Sequence, residues 1–174
     1  MAVKIIEAMK RIKANKEKVA DLQTKIAANC ANISIETPLY GTGTQAKIDE
    51  WLQSCTDTNR ESVRLLCAIA KTNLATQVSV TLGGKTVTKP IAEWIWRRRE
   101  YAKADLDTWS KLGDRGLRDQ IIKPTVEGAA PTDVKVVRYY DPVQRDNMVA
   151  MFKTEAHEID SALEVVNAVT DLME

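Results

Sequence analysis

Between Val3 and Cys30 the apolar residues Ile5, Met9, Ile12, Val19, Leu22, Ile26 and Cys30 recur at steps of three and four, with Lys16 in the one missing place. That is the period of an amphipathic helix, and its narrow near-heptad stripe calls for a partner helix rather than a sheet. At 1.5 Å per residue such a helix is about 40 Å long. Residues 31–44 break the pattern with Pro38, Gly41 and Gly43 and read as a loop. A second helix is predicted from Thr44 to about Leu74, on a stripe of Ile48, Trp51, Leu52, Cys55, Val63, Leu66, Cys67, Ala70 and Leu74. Its polar middle, residues 54–62, is where a fray or kink is expected.

The pattern then changes period. Val78, Val80 and Leu82 alternate with Gln77, Ser79 and Thr81, and Gly83-Gly84 precedes Lys-Thr-Val-Thr. Alternation around a two-glycine turn predicts a β-hairpin over about 76–88, with Leu82 facing Lys85 and Val80 facing Val87. A lone hairpin is marginal in water, so its apolar face must lie on helices or its edge must pair with another chain. A third helix is predicted from Pro90, as a first-turn proline, to about Leu112. An irregular stretch with Gly113, Gly116, Pro124, Gly128 and Pro131 follows, in which Val134–Tyr140 reads as a short strand. Asp141-Pro142 starts the last helix as N-cap and first-turn proline. Val143, Met148, Met151, Phe152, Ile159, Leu163, Val166 and Val169 carry its stripe. The expected fold class is mainly α: an antiparallel helical bundle of three long helices plus a shorter one, in a single domain spanning 1–174, with a projecting β-hairpin.

Composition narrows the function more than the fold. The 174 residues carry a formal net charge of +1, which gives no global case for nucleic-acid or membrane binding. The charge is unevenly spread: residues 1–30 hold seven bases against three acids, and 141–174 hold eight acids against two bases. The two ends therefore attract each other, or form two solvated faces. Cys30, Cys55 and Cys67 are an odd set with no paired spacing, and their helical apolar settings predict buried, reduced thiols. The start of the chain reaches charge too early for a signal peptide, and no apolar run approaches spanning length. The expected location is cytoplasmic when made, and the virion if the source is viral.

Candidate chemistry mostly fails on spacing. Gly84-Lys85-Thr86 resembles the end of a phosphate-binding loop, but Ser79 stands where that loop needs glycine, and a strand rather than a helix follows. His157 is the only histidine and lacks the Glu three residues before it that a helical di-metal site uses; Thr154 is there instead. A solvated helix histidine is the expected reading. No catalytic residue, metal ligand or cofactor site is assigned, and no enzyme activity is expected.

The segment Trp94-Ile95-Trp96-Arg97-Arg98-Arg99-Glu100-Tyr101 is the most unusual one. Two tryptophans two residues apart on a helix point to roughly opposite faces, so one in the core leaves the other at a surface. Trp, Tyr and Arg anchor protein interfaces. The candidate interface residues are therefore Val78, Val80, Leu82 and Val87 of the hairpin, with Trp94, Trp96, Arg97, Arg98, Arg99 and Tyr101. The arginines, with Arg138, are also candidates for phosphate, but Glu93, Glu100, Asp105 and Asp107 interleave, against a nucleic-acid surface.

Three stretches together resemble a family of small, largely uncharacterised bacterial helical proteins sometimes labelled septicolysin-like. They are the opening Ile5-Ile6-Glu7-Ala8-Met9-Lys10-Arg11 helix; Ala68-Ile69-Ala70-Lys71-Thr72-Asn73 with Thr76, Gly84, Thr86, Val87 and the arginine cluster; and the closing helix with Ile159, Asp160, Leu163, Asn167 and Thr170. The resemblance implies a helical bundle with a hairpin and marks Thr72, Asn73 and Thr76 as candidate motif residues. The chain departs from it at Lys71, where the family usually has Arg, and in the tryptophans after the hairpin. The leading expectation for function is a non-enzymatic structural or assembly protein that oligomerises or docks on a larger assembly, a bacteriophage virion component (capsid cement, adaptor or scaffold-type) being one concrete form. The alternatives are a membrane-active toxin, which the family label implies, and a small nucleic-acid-binding protein. The expected partner is a second copy or another protein, not a membrane or nucleic acid.

Overall fold

In the computed structural model residues 3–122 and 132–173 are described. The chain is mainly helical and carries an antiparallel β-hairpin. In order the elements are α1 (Ile5–Asn29), a short 3-10 turn (Gly41–Gly43), α2 (Thr44–Ala75), β1 (Gln77–Leu82), β2 (Lys85–Pro90), α3 (Ile91–Trp96), a π-helical turn (Arg97–Tyr101), α4 (Ala102–Ser110), β3 (Gln120–Ile122), β4 (Thr132–Val134) and α5 (Pro142–Val169). They form two compact units: residues 1–78, 90–92 and 163–174, and residues 79–89 and 93–162.

In the first unit α1 and α2 pair antiparallel. Ala8, Ile12 and Leu65 form one buried cluster with Val3, Ile69 and Leu172 against it, and Asn15 Nδ2 donates to Ser62 Oγ at 3.1 Å further along the seam. On α1 the inward series is Ile5, Ala8, Ile12 and Leu22, so the exposed Met9 drops out of the predicted stripe. The correction on α2 is larger. Its buried residues are Trp51, Thr58, Leu65 and Thr72, one per seven residues, whereas Leu52, Val63, Leu66 and Leu74 of the predicted stripe are exposed. Two threonines hold core positions, and at Thr72 the hydroxyl is satisfied there. Thr72 Oγ1 donates to the Ala68 carbonyl at 2.8 Å and accepts the Met173 N–H at 2.9 Å. Nor does α2 kink in its polar middle; Asp57–Arg60 and Glu61–Arg64 ion pairs one turn apart stitch that stretch.

A contrast between neighbours tests this rotation. Leu65 is 2% exposed and Leu66 51%. Leu65→Ala is expected to lower unfolding free energy by about 2–5 kcal/mol, and Leu66→Ala by no more than about 0.5 kcal/mol, in a denaturant titration. The reverse order would restore the stripe predicted from the sequence.

The ends of the chain meet in the same unit. Ile5 N–H donates to the Thr170 carbonyl at 3.0 Å and Leu172 N–H to the Val3 carbonyl at 2.8 Å. Lys4 Nζ sits 2.6 Å from the Asp171 carboxylate and donates to the Val169 carbonyl. Attraction between the basic start and the acidic end is thus made within the chain, at the Lys4–Asp171 pair among the described residues.

In the second unit the hairpin has the predicted register. Ser79 and Thr88 hydroxyls meet at 2.7 Å and Thr81 and Thr86 at 3.1 Å, the cross-strand pairs that a two-residue turn dictates. Gly83 and Gly84 both take positive φ, which glycine adopts without strain. The hairpin is packed rather than a free arm: Val80 is buried, and a Cβ on Gly83 would stand 3.0 Å from Met151 Sδ on α5. Any side chain at Gly83 would therefore carry backbone strain and press on Met151.

Other boundaries shift. Pro90 ends β2 instead of opening the helix. The strand expected at Val134–Tyr140 is instead β4, Thr132–Val134, ending where it was to begin; it pairs with β3 in the register Gln120↔Val134, Ile121↔Asp133 and Ile122↔Thr132. Pro124, Gly128 and Pro131 lie outside the described residues. Helix α5 starts as predicted, with Asp141 Oδ1 accepting the Val143 N–H at 2.8 Å. The cysteines are not buried: Cys30 and Cys67 are exposed and Cys55 half-buried, because the face of α2 that carries Cys67 is the outer one.

Candidate protein interface around the arginine turn

The Trp94–Tyr101 segment begins as ordinary helix in α3 and widens at Arg97. The Ala102 N–H donates to the Arg97 carbonyl, five residues back, which defines the π turn. Rotation per residue is smaller in such a turn than in an α-helix. Two consecutive arginines can then serve the same neighbour, and both do. Arg97 Nε and Nη2 donate to the two oxygens of Glu155 at 2.6 and 2.9 Å, and Nη1 to Asp105 Oδ2 at 2.6 Å. Arg98 pairs with Asp160. Glu155 and Asp160 both lie on α5. The Glu155 side chain is 2% exposed, so this is a buried fork with both carboxylate oxygens taken. The Arg97 guanidinium stands 5.5 Å from the centroid of Phe152, one turn before Glu155. Hydrogen bonding to Glu155 first, and to Asp105, pushes the Arg97 pKa up and fixes its charge.

These ties sort the predicted interface residues. Val78, Val80 and Trp94 are buried and belong to the core; Leu82 and Val87 are half-buried. Trp94 is 1% exposed, and Lys89 Nζ stands 5.7 Å from its ring centroid while pairing with Glu93. Trp96 is 55% exposed, so the two tryptophans divide between core and surface as their spacing predicts. Arg97 and Arg98 are committed to acids of α5. What faces solvent is Trp96, Arg99 and Tyr101, held on a turn that is pinned from behind.

Sequence reading missed Glu155, Asp160 and Asp105 as partners. A signal was present: Glu155 falls in the inward series of α5 between Phe152 and Ile159, a charge at a core position. It missed the cluster at Asp114 as well. There the carboxylate accepts from Arg138 Nε and Nη2 at 2.6 and 2.5 Å and from Tyr140 Oη at 3.3 Å. The preceding loop turns back through Arg115 and Gly116, both at positive φ. The cluster edges a pocket of about 250 Å³ lined by Leu112, Leu117, Val136 and Tyr139 among others. Arg138 is therefore paired in the chain, like Arg97 and Arg98, and three of the four arginines considered for phosphate have carboxylate partners.

The Arg138 fork holds the Asp114 carboxyl below its ordinary value of 3.8. A depressed carboxylate contributes stability above its unfolded pKa and loses it as pH falls through the folded one. NMR titration is expected to find Asp114 protonating below the usual aspartate range, and Arg138→Gln to bring it back up. An unchanged Asp114 titration in that variant would mean the pair is not formed.

The candidate motif residues Thr72, Asn73 and Thr76 lie at the end of α2 and just beyond it. Thr72 is buried as above, and Thr76 accepts the Ile91 N–H at 3.0 Å through its carbonyl. Asn73 Oδ1 is buried with no partner among the described residues. His157 is exposed, as expected. Among the described residues no three His, Cys, Asp or Glu side chains group in a way that could hold a metal, and no helix is long and apolar enough to cross a membrane.

No family model matches the chain, and no curated protein matches it. One solved structure is similar in fold: a functionally unknown conserved protein from Corynebacterium diphtheriae, with a TM-score of 0.59 and 16% identity, over 99% of this chain and 100% of that one. That likeness concerns the fold, helices and hairpin together, and carries no activity.

Proposed function

We propose that this chain is a non-enzymatic assembly protein that associates with copies of itself, and through them with a larger structure. The observation that carries the reading is the outward set Trp96, Arg99 and Tyr101. Two large aromatic side chains and an arginine stand in solvent at a turn that Arg97 ties to the buried Glu155 behind it. Tryptophan and tyrosine anchor interfaces because they offer large contact area for few rotatable bonds, and arginine because its planar fork carries five donors. A pre-fixed turn lowers the ordering cost of association. A virion subunit is one concrete setting for such a protein; the chemistry of the surface is the same in a cellular assembly.

Light scattering of the purified chain tests this. Self-association gives a mass that is a multiple of the 19.4 kDa chain, and Trp96→Ala with Arg99→Glu is expected to reduce that mass while leaving helicity unchanged. A 19.4 kDa particle at every concentration would contradict the reading.

A further inference from the structure

The seam between α1 and α2 is not closed evenly. On α2 the buried series is Trp51, Thr58, Leu65 and Thr72. Leu65 closes on Ala8 and Ile12 of α1, and Trp51 is buried with the Tyr40 ring edge-on to it at 5.6 Å. Thr72 has its hydroxyl bonded to Ala68 and Met173. Thr58 differs from all three. It is 7% exposed, yet its hydroxyl makes no hydrogen bond among the described residues; the Ser62 hydroxyl donates to its carbonyl instead, at 2.9 Å. A hydroxyl held at that depth without a protein partner is costly, so its partner has to come from the cleft that Thr58 lines. That cleft has a volume of about 600 Å³ and opens to solvent.

The other walls are polar too. Asn15 and Lys18 stand on α1, and Glu50, Asp57 and Glu61 on α2. Steps of seven and four residues keep the three carboxylates on one face of α2, about 10 and 6 Å apart along its axis. They are spread too far to converge on one ion, and no three acids among the described residues group to hold a metal. Lys18 is the single cation of the lining, so negative charge and acceptors dominate. Asp57 and Glu61 pair with Arg60 and Arg64 of their own helix, but those side chains are 74% and 59% exposed. Ion pairs so open to water are weak, and a competing cation can displace them.

We infer that this cleft binds an aliphatic polyamine laid along α2, with one ammonium group at Asp57 and Glu61 and another toward Glu50. A linear ligand with charges at intervals meets separated carboxylates as no point cation can. Its N–H groups also supply the donor that the Thr58 hydroxyl lacks. This goes beyond the assembly reading and does not rest on it.

Isothermal titration of the full chain with spermidine at low salt tests the cleft, with Mg²⁺ as the point-charge control. Saturable one-to-one binding is expected, about tenfold or more tighter than Mg²⁺, which gives up its water reluctantly. Thr58→Val keeps the side-chain shape and removes the hydroxyl. It is expected to weaken spermidine about tenfold, while thermal unfolding finds the variant at least as stable as wild type. Asp57→Asn with Glu61→Gln changes two solvent-accessible side chains and is expected to weaken binding further. No saturable binding overturns the proposal and leaves water as the partner of Thr58. Equal affinities for spermidine and Mg²⁺ overturn it in favour of diffuse charge screening. Spermidine binding unmoved by either variant overturns it by placing the ligand elsewhere.

Discussion

Arg97→Met is expected to lower the unfolding free energy by about 3–5 kcal/mol, because it leaves Glu155 as a buried charge without its partner. The Glu155 side chain is 2% exposed, and its oxygens take two donors from one guanidinium at 2.6 and 2.9 Å. Solvent cannot replace them at that depth, so deletion costs more than the pair itself contributes. Two further variants separate these terms. Arg97→Lys supplies a point charge with no planar fork and recovers only part of the loss. Arg97→Met with Glu155→Leu removes both charges and recovers most of it, since an apolar replacement of a buried pair is often neutral. Asp105, half in solvent, tolerates the loss of its share. Denaturant titration of the three variants checks the series, and a single Arg97→Met within about 1 kcal/mol of wild type would mean that Glu155 is hydrated.

Trp94→Ala is expected to cost about 3–5 kcal/mol, and Trp96→Ala no more than about 0.5 kcal/mol. The difference lies in burial, 1% against 55%, for two identical side chains two residues apart. Removing Trp94 opens a cavity that the surrounding residues cannot fill by relaxing. Removing Trp96 from an isolated chain takes away surface that water already covers. The inverse is expected for association, where Trp96 is the anchor and Trp94 acts only through the fold. Equal losses of stability for the two would mean that Trp96 is covered within the chain.

Periodicity located the helices and the hairpin, including the hairpin register and the N-cap at Asp141, because those depend on local spacing and on glycine and proline chemistry. On α2 it placed the buried Trp51 correctly and chose the wrong face from Val63 onward. Counting only apolar residues selected Leu52, Val63, Leu66 and Leu74, and passed over the buried Thr58 and Thr72, the latter with its hydroxyl bonded to the backbone and the tail. From Val63 to Leu74 the stripe it selected is the one left in water. The same fault misplaced Cys67, which lies on that outer face. For the site, spacing alone separated Trp94 from Trp96. It had no means to see that Arg97 and Arg98 turn toward α5, since their acids lie 58 and 62 residues away in the chain. The π turn that lets both arginines reach leaves no mark in the hydrophobic pattern.

Sedimentation equilibrium of the unmodified chain, from micromolar to hundreds of micromolar, bears most directly on self-association. An oligomer of the 19.4 kDa chain persisting through the series is the predicted result. A single 19.4 kDa species throughout would contradict it.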